Sequence, residues 1–114
     1  MKVAISIEVG NDLHAPVCPS FGRAPRFIVV DLEDLGETLL NNTAASGAHG
    51  AGTGAAALMA QAGVNAVISG RFGPKAFEAL KAAGIDMYVS ASEDSAGGVL
   101  SRFCSGILRK AEAV

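Results

Sequence analysis

The chain has 114 residues, half of them apolar, with a mean hydropathy of +0.37, which suits one domain (1–114) with a real hydrophobic core. A net charge of −2 and a pI near 5.6 argue against the basic face of a sequence-independent nucleic-acid binder. No apolar run approaches ~18 residues, so nothing is expected to span a membrane.

The opening "MKVAISIEVG" alternates and contains Glu8, with no cleavage motif after it. It reads as a strand over 2–7 of a cytoplasmic protein rather than as a signal peptide. "NDLHAPVCPSFGRAP" (11–25) is a long loop, because Pro16, Pro19 and Pro25 deny it a helix. "RFIVVDL" (26–32) and "GETLLNN" (36–42) are strands joined by the turn "EDLG", an antiparallel hairpin. From about Gly54 the run "GAAALMAQAG" predicts a helix closed by Gly63.

"NAVISG" (65–70) is a fourth strand. "GPKAFEALKAAG" (73–84) predicts a helix with Pro74 in its first turn and Gly84 just past its end. "IDMYVS" (85–90) is a fifth strand. The last segment, "SEDSAGGVLSRFCSGILRK", predicts a helix capped by Ser92, with Val99, Leu100, Phe103, Cys104 and Ile107 on one apolar face. Gly97 and Gly98 weaken it by roughly 1 kcal/mol each against Ala. The order β-β-β-α-β-α-β-α describes a mixed sheet, with ligands expected at loops leaving the carboxyl ends of its parallel strands, such as "GRFG" (70–73).

The densest glycine cluster, "AHGAGTG" (48–54), fits no nucleotide motif. "GAGTGA" lacks an immediately preceding strand and a ribose-binding acid about 20 residues on, and a Walker A lysine is missing. What remains is an anion site: Gly50, Gly52 and Gly54 allow close backbone approach, Thr53 lies among them, and a helix N-terminus supplies free N–H groups. The alternative is a flexible loop with a glycine helix start. His49 reads as a ligand or hydrogen-bond donor to the anion, or as an exposed loop histidine. Arg23 and Arg71, each beside glycine, suit forked anion contacts or ordinary surface charge.

Cys18 and Cys104 form no CxxC pair, and a structural disulfide is not expected. Cys18, between two prolines, is a candidate thiolate ligand. Cys104 is expected in the core. His14 and His49 are scattered, and the aspartates form no acid–base pair, so no enzyme is advertised.

"SFGRAPRFIVVD" (20–31), "AHGAGTGAA" (48–56) and "SGRFGPKAFEALKAAGI" (69–85) occur in the order and spacing of the dinitrogenase iron-molybdenum cofactor-binding family. The chain resembles that family, which spans nitrogenase cofactor carriers and the orange protein of sulfate reducers, over nearly its whole length. The resemblance implies an α/β, ribonuclease H-like fold with a mixed five-stranded sheet flanked by helices. It also implies a non-catalytic role: non-covalent binding of an anionic metal-sulfur cluster, of molybdenum-copper sulfide or iron-molybdenum type. The family often has a histidine before "FGRA", where Ser20 stands here, and Cys18 is the candidate replacement ligand. With no appended domain or cysteine tail, the chain is expected to be a stand-alone carrier, nearer the orange-protein branch in size and loops. A different class of function, a regulatory or scaffold module that binds a partner such as an ATPase, would need no cluster. A nuclease would need several carboxylates around Mg²⁺ and is disfavoured.

Overall fold

The computed structural model describes residues 1–42, 51–90 and 94–111. Among them the elements run β1 (Lys2–Ile7), β2 (Arg26–Asp31), β3 (Glu37–Asn41), α1 (Ala51–Gln61), β4 (Ala66–Ser69), α2 (Pro74–Ala82), β5 (Asp86–Val89), α3 (Ala96–Cys104) and β6 (Arg109–Lys110). They make an α/β fold around one mixed sheet in the order β3-β2-β1-β4-β5-β6. β1, β4 and β5 are parallel, while β2 and β3 form the expected antiparallel hairpin and β6 returns antiparallel to β5.

The sheet has six strands where five were expected. The additional one, β6, falls in a segment whose apolar spacing suggests continued helix. Gly106, at φ +75°, turns the chain out of α3, and the Ala111 N–H then bonds the Met87 carbonyl (2.9 Å), fixing the return against β5.

Alternation along the strands feeds two cores. One holds Ala4, Phe27, Val29 and Val67 of the sheet with Ala55, Ala56 and Met59 of α1 and Ala76, Phe77 and Leu80 of α2. The other holds Val3, Ile5, Ile7, Ile28, Val30 and Ile68 with Ala96 and Val99 of α3. Helices α1 and α2 thus share one face, and α3 covers the other. Small side chains let α1 and α2 pack closely: a Cβ added at Gly52 would lie 3.0 Å from Ala76 Cβ.

That close approach explains why α1 begins at Ala51 rather than near Gly54. The helical cost of Gly52 and Gly54 is offset by packing that a side chain at Gly52 would push apart. The start of α3 is also later than expected. Its N-cap is Ser95, whose hydroxyl accepts from the Gly98 N–H (3.0 Å). Ser92 lies outside the described residues. Because α3 stops at Cys104, neither Cys104 nor Ile107 belongs to a buried face: both are exposed, Ile107 by 70%. Val99 is buried, and Leu100 and Phe103 are half-buried against the core as expected.

Candidate functional site

β1 and β4 are neighbours, but the chain leaves β1 toward β2 and leaves β4 toward β5 on the opposite side. Loops leaving such a switch point diverge and open a crevice at the carboxyl ends of the strands. Here those loops are 8–25 and 70–73. They are stitched together by Gly70 N–H to the Cys18 carbonyl (3.0 Å) and Phe21 N–H to the Arg71 carbonyl (3.1 Å). The contact is so tight that a Cβ at Gly70 would sit 2.6 Å from Pro19 Cα and 2.7 Å from its carbonyl oxygen. Beneath it, the buried Ser6 and Ser69 hydroxyls lie 2.8 Å apart, and each is 3.3 Å from the Cys18 oxygen.

The segment "FGRA" is built as a plug and a rim. Phe21 is buried between Phe27 and Phe72, with ring centroids 5.3 and 5.2 Å away. Asn42, buried at the end of β3, donates from Nδ2 to the carbonyls of Ala24 (2.8 Å) and Gly22 (3.4 Å). Its own N–H bonds the Pro25 carbonyl (2.9 Å). With the phenyl ring below and the amide clamp behind, Gly22 and the exposed Arg23 are held at the surface.

They form one wall of an open cleft of about 400 Å³, lined by Ser20, Gly22, Arg23, Gly52, Gly73, Pro74, Lys75 and Ala76. The N-termini of α1 and α2 both reach this cleft, and neither helix has an acid in its first turn. The N-cap of α2 is Gly73, which has no side chain to cap the amides of Lys75 and Ala76. Pro74, at N1, brings no N–H. By contrast, the first amides of α3 are already used: Ala96 N–H bonds the Ala15 carbonyl, Gly97 N–H the Leu13 carbonyl (both 2.8 Å), and Gly98 N–H the Ser95 hydroxyl. Among the described residues, no carboxylate lines the cleft. It therefore combines positive helix ends with two cationic side chains, an arrangement that favours an anion.

Of the residues predicted from sequence, Arg23 and Gly52 meet in this cleft. Thr53 lies on an adjoining shallow depression of α1 and α2 with Pro74, Lys75 and Glu78. Gly54 sits within α1, and the exposed Arg71 is not on the cleft wall, although its carbonyl anchors Phe21. His49 and Gly50 lie outside the described residues, immediately before α1 in the chain.

Cys18 is 2% exposed, with its thiol donating to the Ser20 carbonyl (3.4 Å). Burial pushes the thiol above its ordinary range, opposed by that hydrogen bond and reinforced by Glu8. The buried Cys18 side chain is not among the residues that line the cleft.

Lys75 was missed from sequence, yet it carried a signal. A lysine in the first turn opposes the helix dipole, so a cation there points to a role outside helix stability. Asn42 was missed because its task, clamping a loop some 20 residues earlier, depends on the hairpin bringing them together.

The sequence family described as "Dinitrogenase iron-molybdenum cofactor" matches residues 1–106. An uncharacterized protein of Methanocaldococcus jannaschii is 39% identical over 115 residues, covering 98% of this chain and 92% of that one. The apo form of the orange protein from Desulfovibrio gigas superposes with a TM-score of 0.93 at 34% identity, covering 98% of this chain and 93% of the other. A putative NifB protein from Thermotoga superposes with a TM-score of 0.83 at 34% identity, covering 96% and 91%. The chain belongs to the dinitrogenase iron-molybdenum cofactor family.

Proposed function

We propose that this protein is a non-catalytic carrier that holds an anionic metal-sulfur cluster non-covalently in the cleft between α1 and α2. The observation that carries the proposal is the convergence of two helix N-termini, Arg23 and Lys75 on one open cleft that no carboxylate lines among the described residues. A thiometallate is a bulky polyanion whose outer sulfides accept N–H hydrogen bonds, so main-chain amides and side-chain cations suit it. Among the described residues, no group of three or more His, Cys, Asp and Glu is placed to hold a metal ion.

In this proposal the amides near Gly52, Thr53 and Gly54 and those of the first turn of α2 face the cluster. Arg23 and Lys75 balance its charge, and His49, outside the described residues and next to Gly50 in the chain, is proposed as ligand or donor. Arg71 acts through its carbonyl, which holds the loop of Phe21. The cargo is of molybdenum-copper sulfide or iron-molybdenum type, and donor or acceptor proteins, such as an ATPase, belong to the same proposal. A ribonuclease H-like ancestry would bring no nuclease activity with it.

The test is retention. Apo-protein is incubated with tetrathiomolybdate and copper(I), or with an iron-molybdenum cluster, and desalted. Visible charge-transfer absorption is expected to elute with the protein. His49→Ala and the pair Arg23→Ala with Lys75→Ala are expected to reduce it, and Cys104→Ala to leave it unchanged. If neither cluster travels with the protein, the proposal fails.

A further inference from the structure

The opposite end and edge of the sheet carry a second feature. β3 is an edge strand whose hydrogen-bonded neighbour is β2. Asp31 N–H bonds the Gly36 carbonyl (3.0 Å) and Asn42 N–H the Pro25 carbonyl (2.9 Å). Antiparallel pairs alternate between hydrogen-bonded and non-bonded positions. With Glu37 opposite Val30 and Thr38 opposite Val29, the ladder to β2 therefore uses Thr38 and Leu40. The N–H and C=O groups of Glu37, Leu39 and Asn41 face outward from the sheet. The strand carries neither proline nor lysine, the usual blocks to edge pairing, and its Leu39 side chain is 42% exposed.

Beside this edge lies a groove of about 440 Å³. Val29, Leu40 and Ala62 supply its apolar surface, and Asp31, Asp34 and Glu37 outnumber the single ammonium of Lys2. Asp31 and Asp34 each use one carboxylate oxygen on a local turn amide, from Glu33 (3.0 Å) and Gly36 (2.8 Å), which leaves their negative charge uncompensated by those bonds.

We propose that this edge and groove dock an extended segment of a second protein, one carrying Lys or Arg at alternate positions. The segment adds a strand to β3 through the outward backbone groups, and its cations meet the carboxylates of the groove. A second copy of this chain is a poorer occupant. Paired antiparallel about Leu39, it would bring Asn41 against Glu37, and the nearby Arg26 is already held by the Gly10 carbonyl (3.2 Å) and Asn11 Oδ1 (2.6 Å). The groove includes Lys2 at the start of β1, whereas the cleft opens beyond the carboxyl ends of β1 and β4, so a docked partner leaves the cleft open. This docking role does not depend on the cluster.

The probe is a fluorescent octapeptide of alternating Val and Lys, with a Val and Glu counterpart, measured by anisotropy at low salt and by amide chemical shifts. The lysine peptide is expected to bind at least about tenfold more tightly than the glutamate peptide and to weaken with added salt. It should shift the amides of Glu37, Leu39 and Asn41. Leu39→Pro removes an outward N–H while sparing the ladder to β2, and is expected to weaken binding about tenfold. The pair Asp34→Lys with Glu37→Lys should reverse the peptide preference, a result that does not depend on the proline variant folding. Equal binding of both peptides, shifts confined to the cleft, or a dimer in sedimentation that Leu39→Pro abolishes would each overturn the proposal.

Discussion

Cys18 lies buried beneath the loop that carries Ser20 and Arg23, while Cys104 is exposed at the end of α3. In the native protein, iodoacetamide is expected to label Cys104 rapidly and Cys18 only as the fold opens, which peptide mass mapping of partly labelled protein reads directly. Because burial raises the Cys18 pKa, the unfolded thiol ionises at a lower pH than the folded one. The stability from keeping this thiol neutral is full below the ordinary thiol range and is lost as pH rises through the raised value. Chemical denaturation should therefore show a high-pH decline that Cys18→Ala reduces. Gly70 is a stricter position: a methyl group there meets Pro19 backbone atoms, which cannot rotate away. Gly70→Ala is expected to cost roughly 2–4 kcal/mol in urea unfolding, because the loop over Ser6 and Ser69 must lift.

At the scale of elements, α2 poses a choice between helix stability and binding. Gly73 has φ −71°, open to any residue, and a Cβ there meets nothing within 4 Å. Gly73→Asp should cap the bare amides of Lys75 and Ala76 and raise stability by roughly 0.5–1 kcal/mol. The same carboxylate would occupy the cleft with negative charge and abolish cluster retention. Thermal unfolding and desalting together check this; a variant that retained cargo while gaining stability would place the anion elsewhere. The elements themselves were largely legible, because the hairpin turn, Pro74 and the closing glycines are local signals. The start of α1 was not, since Gly52 is helical through its contact with Ala76, a residue in another helix. The end of α3 was misjudged for a related reason. The spacing of Cys104 and Ile107 mimics a helical face, but Gly106 and the pairing of β6 with β5 take the chain away.

The whole molecule has a polarity that composition alone conceals. A net charge of −2 hides a cleft with Arg23 and Lys75 at one end of β1 and a groove with three carboxylates at the other. Arg23 and Gly52, which both line the cleft, were legible as candidates because glycine and arginine near loops carry local meaning. Lys75 and Asn42 acquire theirs from the switch point and the hairpin, which exist only in the folded sheet. Charge reversal should separate the two ends: Arg23→Glu with Lys75→Glu should abolish retention of the cluster, and Asp34→Lys with Glu37→Lys should leave it intact. The central claim, that an anionic cluster sits between the N-termini of α1 and α2, is tested most directly by amide chemical-shift mapping of ¹⁵N-labelled protein titrated with the product of tetrathiomolybdate and copper(I). The predicted result is a saturable shift centred on Gly52, Thr53, Gly73, Lys75 and Ala76. Shifts centred elsewhere, or none at saturating cluster, would contradict it.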